Sequence, residues 1–64
     1  MLLLDSYSFD NRLAQIFQVR EGQYILEFYL DKKLTSKMTL ANLLEAKKVA
    51  ENFTDGHKAQ LLKE

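Results

Sequence analysis

The residues that could do acid–base chemistry form no catalytic or metal-binding pattern. The candidate acids and bases are Asp5, Asp10, Glu27, Asp31 and His57. Ser6 and Ser8 have no histidine at the spacing of a nucleophile and its base, and no glycine-rich loop could hold a phosphate. With no cysteine and one histidine, the chain lacks the ligands of a zinc site. The sequence therefore predicts a protein that is not an enzyme and binds neither metal nor cofactor.

The composition is that of one small globular domain. The chain has 64 residues, 47% of them hydrophobic and 28% charged, so we expect a single domain over residues 1–64. Nine basic residues balance nine acidic residues, which gives no general attraction to nucleic acids or anionic membranes. The N-terminal residues lack a signal-peptide pattern, and no apolar run approaches the roughly 18 residues of a membrane span. These features predict a cytoplasmic protein.

Three segments have the alternation of β-strands. They are Leu13–Arg20, Gln23–Asp31 and Leu34–Leu40. The second is apolar at nearly every step, which is typical of a central strand covered on both sides. Glu21-Gly22 predicts a tight hairpin turn, and Asp31-Lys32-Lys33 predicts a polar turn whose type its residues do not fix, since it has neither Gly nor Asn. Met1–Asn11 could be a first short strand or an arm lying on the sheet.

The apolar period changes from two to 3.6 after Leu40. Asn42 is a good N-cap, and Glu45 three residues later completes a capping-box-like pattern. Apolar residues then recur on one helix face: Leu43, Ala46, Ala50 and Phe53. Asp55-Gly56 predicts the end of the helix. Residues 57–64 could form one or two further helical turns or fray.

These elements predict an α+β fold: an antiparallel sheet of three or four strands, one amphipathic helix on one face, and a short C-terminal helical tail. The side chains expected to face the helix are Leu13, Phe17, Val19, Tyr24, Leu26, Phe28, Leu30, Leu34, Met38 and Leu40. The opposite face is expected to carry Ile16, Ile25 and Tyr29, with Ala14, Gln18, Glu27, Thr35 and Lys37 around them.

The opposite face has the residue types of a protein-binding surface. An apolar centre of Ile16, Ile25 and Tyr29 has a polar rim, and tyrosine is enriched among energetically dominant interface residues. The predicted partner-binding residues are Ile16, Gln18, Ile25, Glu27, Tyr29 and Lys37. Cover could come from another protein or a second copy, or from the chain's own ends. A domain of this size without disulfides or metal often needs a second subunit, which favours a homodimer.

A nucleic-acid-binding protein is the alternative. Tyr29 could stack a base, and five basic residues could lie along one edge and the turns: Arg12, Arg20, Lys32, Lys33 and Lys37. Lysines also keep turns and edge strands solvated, which is their ordinary role in sheets. The neutral overall charge makes nucleic acid the less favoured partner.

From Tyr24 the chain reads Y-x-L-x-F-Y-L-D-K-K-L, then a polar strand, then N-L-L-E-A-K-K-V-A-E-N-F. This pattern resembles small βββα proteins of tailed phages, cyanophages among them. The resemblance covers Leu13 to Phe53. It implies a fold and a phage setting. Together with the predicted protein-binding face, it leads us to expect a phage accessory protein that binds and modulates a host protein in the host cytoplasm. The same outline is similar to the arm-type DNA-binding domain of phage integrases, which lays its sheet on DNA. This chain departs from that relative because Glu27 and Asp31 lie on the candidate DNA face.

Overall fold

The computed structural model describes residues 1–56, which form a four-stranded antiparallel sheet and one helix. The strands are β1 (Leu2–Phe9), β2 (Arg12–Arg20), β3 (Gln23–Leu30) and β4 (Lys33–Leu40), and the helix is α1 (Leu43–Phe53). The strands lie in the order β1-β2-β3-β4, so each pairs with its neighbour in sequence. The predicted α+β class is confirmed, and the N-terminal segment is a strand. The predicted C-terminal tail lies outside the described residues.

Two-residue turns join the strands. In the β3–β4 turn both central residues are left-handed, with φ of 53° at Asp31 and 69° at Lys32. This is the backbone of a type I′ turn, whose twist matches that of the flanking strands. The β2–β3 turn has its left-handed residue at Gly22, with φ of 78°, a conformation that glycine adopts without steric cost.

Each strand pairing contains one shift of register. Leu4 of β1, Val19 of β2 and Thr35 of β4 are the extra residues at these shifts. The shift in β2 decides which side chains face α1. Arg20 lies opposite Gln23, but Gln18 lies opposite Tyr24, so Val19 is left without a partner.

The extra residue exchanges the two faces of β2. A hairpin without it would place Phe17 opposite Leu26, whereas the structure places Ile16 there. Successive side chains of a strand point to opposite faces, so a slip of one residue moves the whole set. The prediction that Leu13 and Phe17 face the helix is therefore wrong.

The predicted placements of Ile16, Gln18 and Ala14 on the opposite face are wrong for the same reason. They lie in register with residues of β3 that face α1. Val19, expected to face the helix, is the extra residue itself and is 39% exposed. Thr35 also exchanges the faces of its strand, β4, for the residues that precede it. Leu34 therefore lies opposite Tyr29, away from the helix, although it was predicted to face the helix.

The core lies between the sheet and α1, which packs mainly over β2. Its buried apolar residues are Tyr7, Ala14, Ile16, Leu26, Phe28, Ala46 and Ala50. Ala46 and Ala50 are the buried positions of the helix, and their small side chains allow close approach to the sheet. At one side of this core, Phe28 and Phe53 pack edge to face, with ring centroids 4.9 Å apart.

Side chains cap both ends of α1. The Asn42 side chain accepts a hydrogen bond from the Glu45 amide at 3.1 Å, which confirms the predicted N-cap. At the other end the buried Thr54 hydroxyl donates to the Ala50 carbonyl at 2.8 Å. The Gly56 amide donates to the Glu51 carbonyl at 2.7 Å, with Gly56 in the left-handed region, as expected for the predicted helix end.

Tyr7 brings a hydroxyl into the edge of the core. The residue is 3% exposed. Burial raises the pKa of Tyr7 to about 12, and the negative charges of Asp5 and Glu51 and a hydrogen bond with Asp5 act in the same direction. The neutral phenol is therefore the form that the fold stabilises.

The face assignment predicts unequal costs for two neighbouring isoleucines. Ile16→Ala should lower the free energy of unfolding by roughly 2–5 kcal/mol because it leaves a cavity in the core. Ile25→Ala removes a half-buried side chain on the other face and should cost clearly less. Denaturant unfolding of both variants measures the difference. Equal costs, or a larger cost at Ile25, would contradict the register.

The Tyr7 pKa predicts a loss of stability at alkaline pH. The phenol ionises near 10 in the unfolded chain and at about 12 in the fold. Its contribution is complete below the lower pKa and is lost as pH rises through the higher one. Tyr7→Phe should lack this component, so the parent should lose stability more steeply across this window. Denaturant unfolding over the window tests this, and parallel curves would refute it.

Candidate functional site

The sheet face that points away from α1 is the candidate site, and we call it the open face. Its residues are Leu3, Ser6 and Ser8 of β1, Leu13, Gln15 and Phe17 of β2, Ile25, Glu27 and Tyr29 of β3, and Leu34, Lys37 and Thr39 of β4. Among residues 1–56 the one helix lies on the other side, so the open face has no second layer there.

Glu27 lies at the centre of the open face and is only 9% exposed. The Tyr29 hydroxyl donates a hydrogen bond to Glu27 Oε1 at 2.8 Å. Lys37 Nζ lies 3.9 Å from Glu27 Oε2, and its side chain is largely exposed. Withdrawing a carboxylate from water is costly unless it is paired, and these two contacts supply the partners.

Tyr29 is held in its protonated form by the same contact. Its pKa is raised, first by the hydrogen bond to Glu27, then by burial and by the negative charge of Glu27. The phenol donates to a fixed acceptor, the Glu27 carboxylate. The aromatic ring keeps a defined orientation on the face, which suits a binding contact better than proton transfer.

Two cross-strand pairs, each of one aliphatic and one aromatic side chain, flank Glu27 along the strands. Leu13 lies opposite Tyr29 on one side, and Phe17 lies opposite Ile25 on the other. All four side chains are half-buried within the monomer. Leu34 of β4, 47% exposed, extends the apolar surface beside Tyr29.

The structure brings together part of the predicted partner-binding set. Ile25, Glu27, Tyr29 and Lys37 share the open face. Ile16 and Gln18 face α1 instead, and Ile16 is fully buried.

Leu13, Phe17 and Leu34 lie on the open face, although their sequence pattern predicted the helix side. The sequence shows that they are apolar, but it does not show the register shifts at Val19 and Thr35. Glycine at the β2–β3 turn was the available signal, because hairpin turns with a left-handed glycine often accompany a bulge.

A second concave region lies where the β1–β2 and β3–β4 turns meet. Its cavity volume is about 420 Å³, with Ser8, Arg12 and Asp31 among its lining residues. Asn11 Nδ2 donates to Asp31 Oδ1 at 3.0 Å, and the Asp31 amide donates to the Asn11 carbonyl at 3.0 Å. No lining residue is a histidine. The described polar contacts therefore join the turns together and do not form a nucleophile–base pair.

Within residues 1–56, no three histidine, cysteine or carboxylate residues are grouped closely enough to hold a metal ion. The helix in this range lacks the length and apolar character needed to cross a membrane.

No protein-family model, curated protein or solved structure matches this chain. The resemblance to small phage proteins therefore stays a prediction. The candidate site is supported by its own geometry alone.

The Glu27–Tyr29 contact predicts that the Tyr29 pKa depends on the Glu27 carboxylate. Glu27→Gln removes the negative charge and the charged acceptor, so the Tyr29 pKa should fall towards its ordinary value. The pH dependence of the Tyr29 ring signals in NMR measures this. Glu21→Gln, in the β2–β3 turn, is the matched control and should leave Tyr29 unchanged. An unaltered Tyr29 titration in Glu27→Gln would contradict the contact.

Proposed function

We propose that the protein is a non-enzymatic protein–protein interaction module that binds a partner polypeptide through the open face. The observation that carries this proposal is the pair of apolar cross-strand contacts around Glu27, on a face without a second layer among the described residues. A half-buried sheet face of this kind gains free energy when a partner removes its apolar side chains from water.

The size of the face suits this role. Four strands about 4.8 Å apart and eight residues long, at about 3.3 Å per residue, give a face of roughly 500 Å². On the open face the apolar side chains flank a central carboxylate that is already paired, so its charge is balanced within the face.

The distribution of charge favours a protein over nucleic acid. Lys37 lies beside Glu27, which balances its charge. Arg12 and Lys33 both lie in register with Leu30, on the helix side, and Lys32 lies in a turn. Arg20 lies in register with Gln23, at the turn end of the open face, so it and Lys37 are the two of these five basic residues on that face. The basic residues do not gather on the open face, whereas a phosphate backbone requires a continuous positive surface.

The resemblance to tailed-phage proteins leads us to propose a setting for this module. In that setting the protein is an accessory factor that modulates a host protein by binding it. The support for this setting is the sequence pattern from Leu13 to Phe53.

A charge on the open face should abolish partner binding without unfolding the domain. Tyr29→Lys removes the central aromatic ring and leaves an ammonium group beside Glu27, which can pair with it. Lys48→Glu, on the exposed side of α1, is the matched control and should bind normally. Affinity capture from the natural host extract, with and without nuclease, identifies candidates, and titration of the purified candidate measures binding. If the captured material is all sensitive to nuclease, the result would favour a nucleic-acid-binding protein instead.

A further inference from the structure

We propose that the open face binds a second copy of this chain, giving a symmetric dimer in which two sheets pack face to face with the helices outside. This inference rests on the proposed function, since it names a second copy, in place of a host protein, as the partner of the same face. It is carried by the order of side chains on β2 and β3, which is complementary to itself.

The register places these side chains at three levels along the strands. Leu13 is level with Tyr29, Gln15 with Glu27, and Phe17 with Ile25. A two-fold axis parallel to the strands and midway between β2 and β3 lays β2 of one copy over β3 of the other. Rotation about this axis does not change a residue's position along it, so residues at the same level of the two copies meet. Packing of two sheets with nearly aligned strands has this geometry.

The contacts that result are chemically matched at every level. Leu13 meets Tyr29 of the second copy, and Phe17 meets Ile25, so an aliphatic side chain lies against an aromatic ring at both ends. At the centre the Gln15 amide, a donor, meets the Glu27 carboxylate, an acceptor with capacity beyond its bonds to Tyr29 and Lys37. Each contact occurs twice, as an isologous interface requires.

The buried area reaches the lower bound expected of a specific pair. A face of roughly 500 Å² on each copy gives about 1,000 Å² in total, near the lower bound for a specific interface. The charges also fit a second copy, because Glu27 and Lys37 balance within each chain and two such faces do not repel.

A charge-swap experiment tests this geometry. Phe17→Glu and Ile25→Lys each place an unpaired charge against an apolar side chain at two symmetric contacts, so each variant alone should dimerise about 100-fold more weakly or worse. An equimolar mixture should form a heterodimer, because one contact becomes Glu against Lys and the other remains Ile25 against Phe17. Leu13→Glu and Tyr29→Lys form a second pair with the same logic, should a variant of the first pair fail to fold.

Sedimentation equilibrium and native mass spectrometry of the full chain give the readout. The parent and the Lys48→Glu control should have twice the 7.5 kDa chain mass, each single variant the chain mass, and the mixture the heterodimer mass. A monomeric parent at high micromolar concentration, or mixtures that stay monomeric, would overturn the inference. A monomeric parent that binds a different purified protein through Tyr29 would overturn this inference and leave the proposed function standing. A parent chain that neither dimerises nor binds another protein would overturn both the dimer and the proposed function.

Discussion

The two faces of this sheet are defined by one residue without a cross-strand partner, Val19. Its presence places Ile16 opposite Leu26, and the core that α1 covers is built around this pair. Moving β2 by one position would put Phe17 in place of Ile16 in the core, and the larger ring would overpack it. It would also expose Ile16. The packing of the helix and the register of the hairpin therefore depend on each other.

Consequences of this register extend to the open face. Because Ile16 and Ala14 are used by the core, Leu13, Gln15 and Phe17 remain for the other side. Glu27 between them limits how the apolar surface can be used, since a partner must leave its bonds to Tyr29 and Lys37 intact or replace them. A central buried carboxylate contributes less to affinity than to selectivity, because a purely apolar partner would leave its remaining acceptor capacity unsatisfied.

The fold was predictable because local signals agree along most of the chain. The alternation of β3, the turn residues and the Asn42 cap each have one interpretation, and the structure follows them. The strand β2 was different, because it has apolar residues at both parities: Ala14 and Ile16 in one set, Leu13 and Phe17 in the other. Hydrophobic pattern cannot choose between such registers, and the choice comes from packing against a helix that is distant in sequence.

The candidate site was predictable to the same extent as its strands. Ile25, Glu27 and Tyr29 were placed together because the parity of β3 follows directly from its own sequence. Lys37 lies on the predicted face because the alternation of side chains after the extra residue Thr35 is the one predicted. Leu34 precedes Thr35, where the alternation is reversed, so it lies on the other face from the one predicted. The residues of β2 were exchanged between faces as one set, which is the expected form of error when a bulge is not visible in the sequence.

The order of the strands has a consequence for how the chain reaches this structure. Each strand pairs with the next one through a two-residue turn, so all three strand pairings join neighbours in sequence. Closing such short loops costs little chain entropy. The exception is α1, which follows β4 but packs mainly over β2. The sheet can therefore assemble by successive local steps, and the return of the helix across two strands is the long-range event that completes the core.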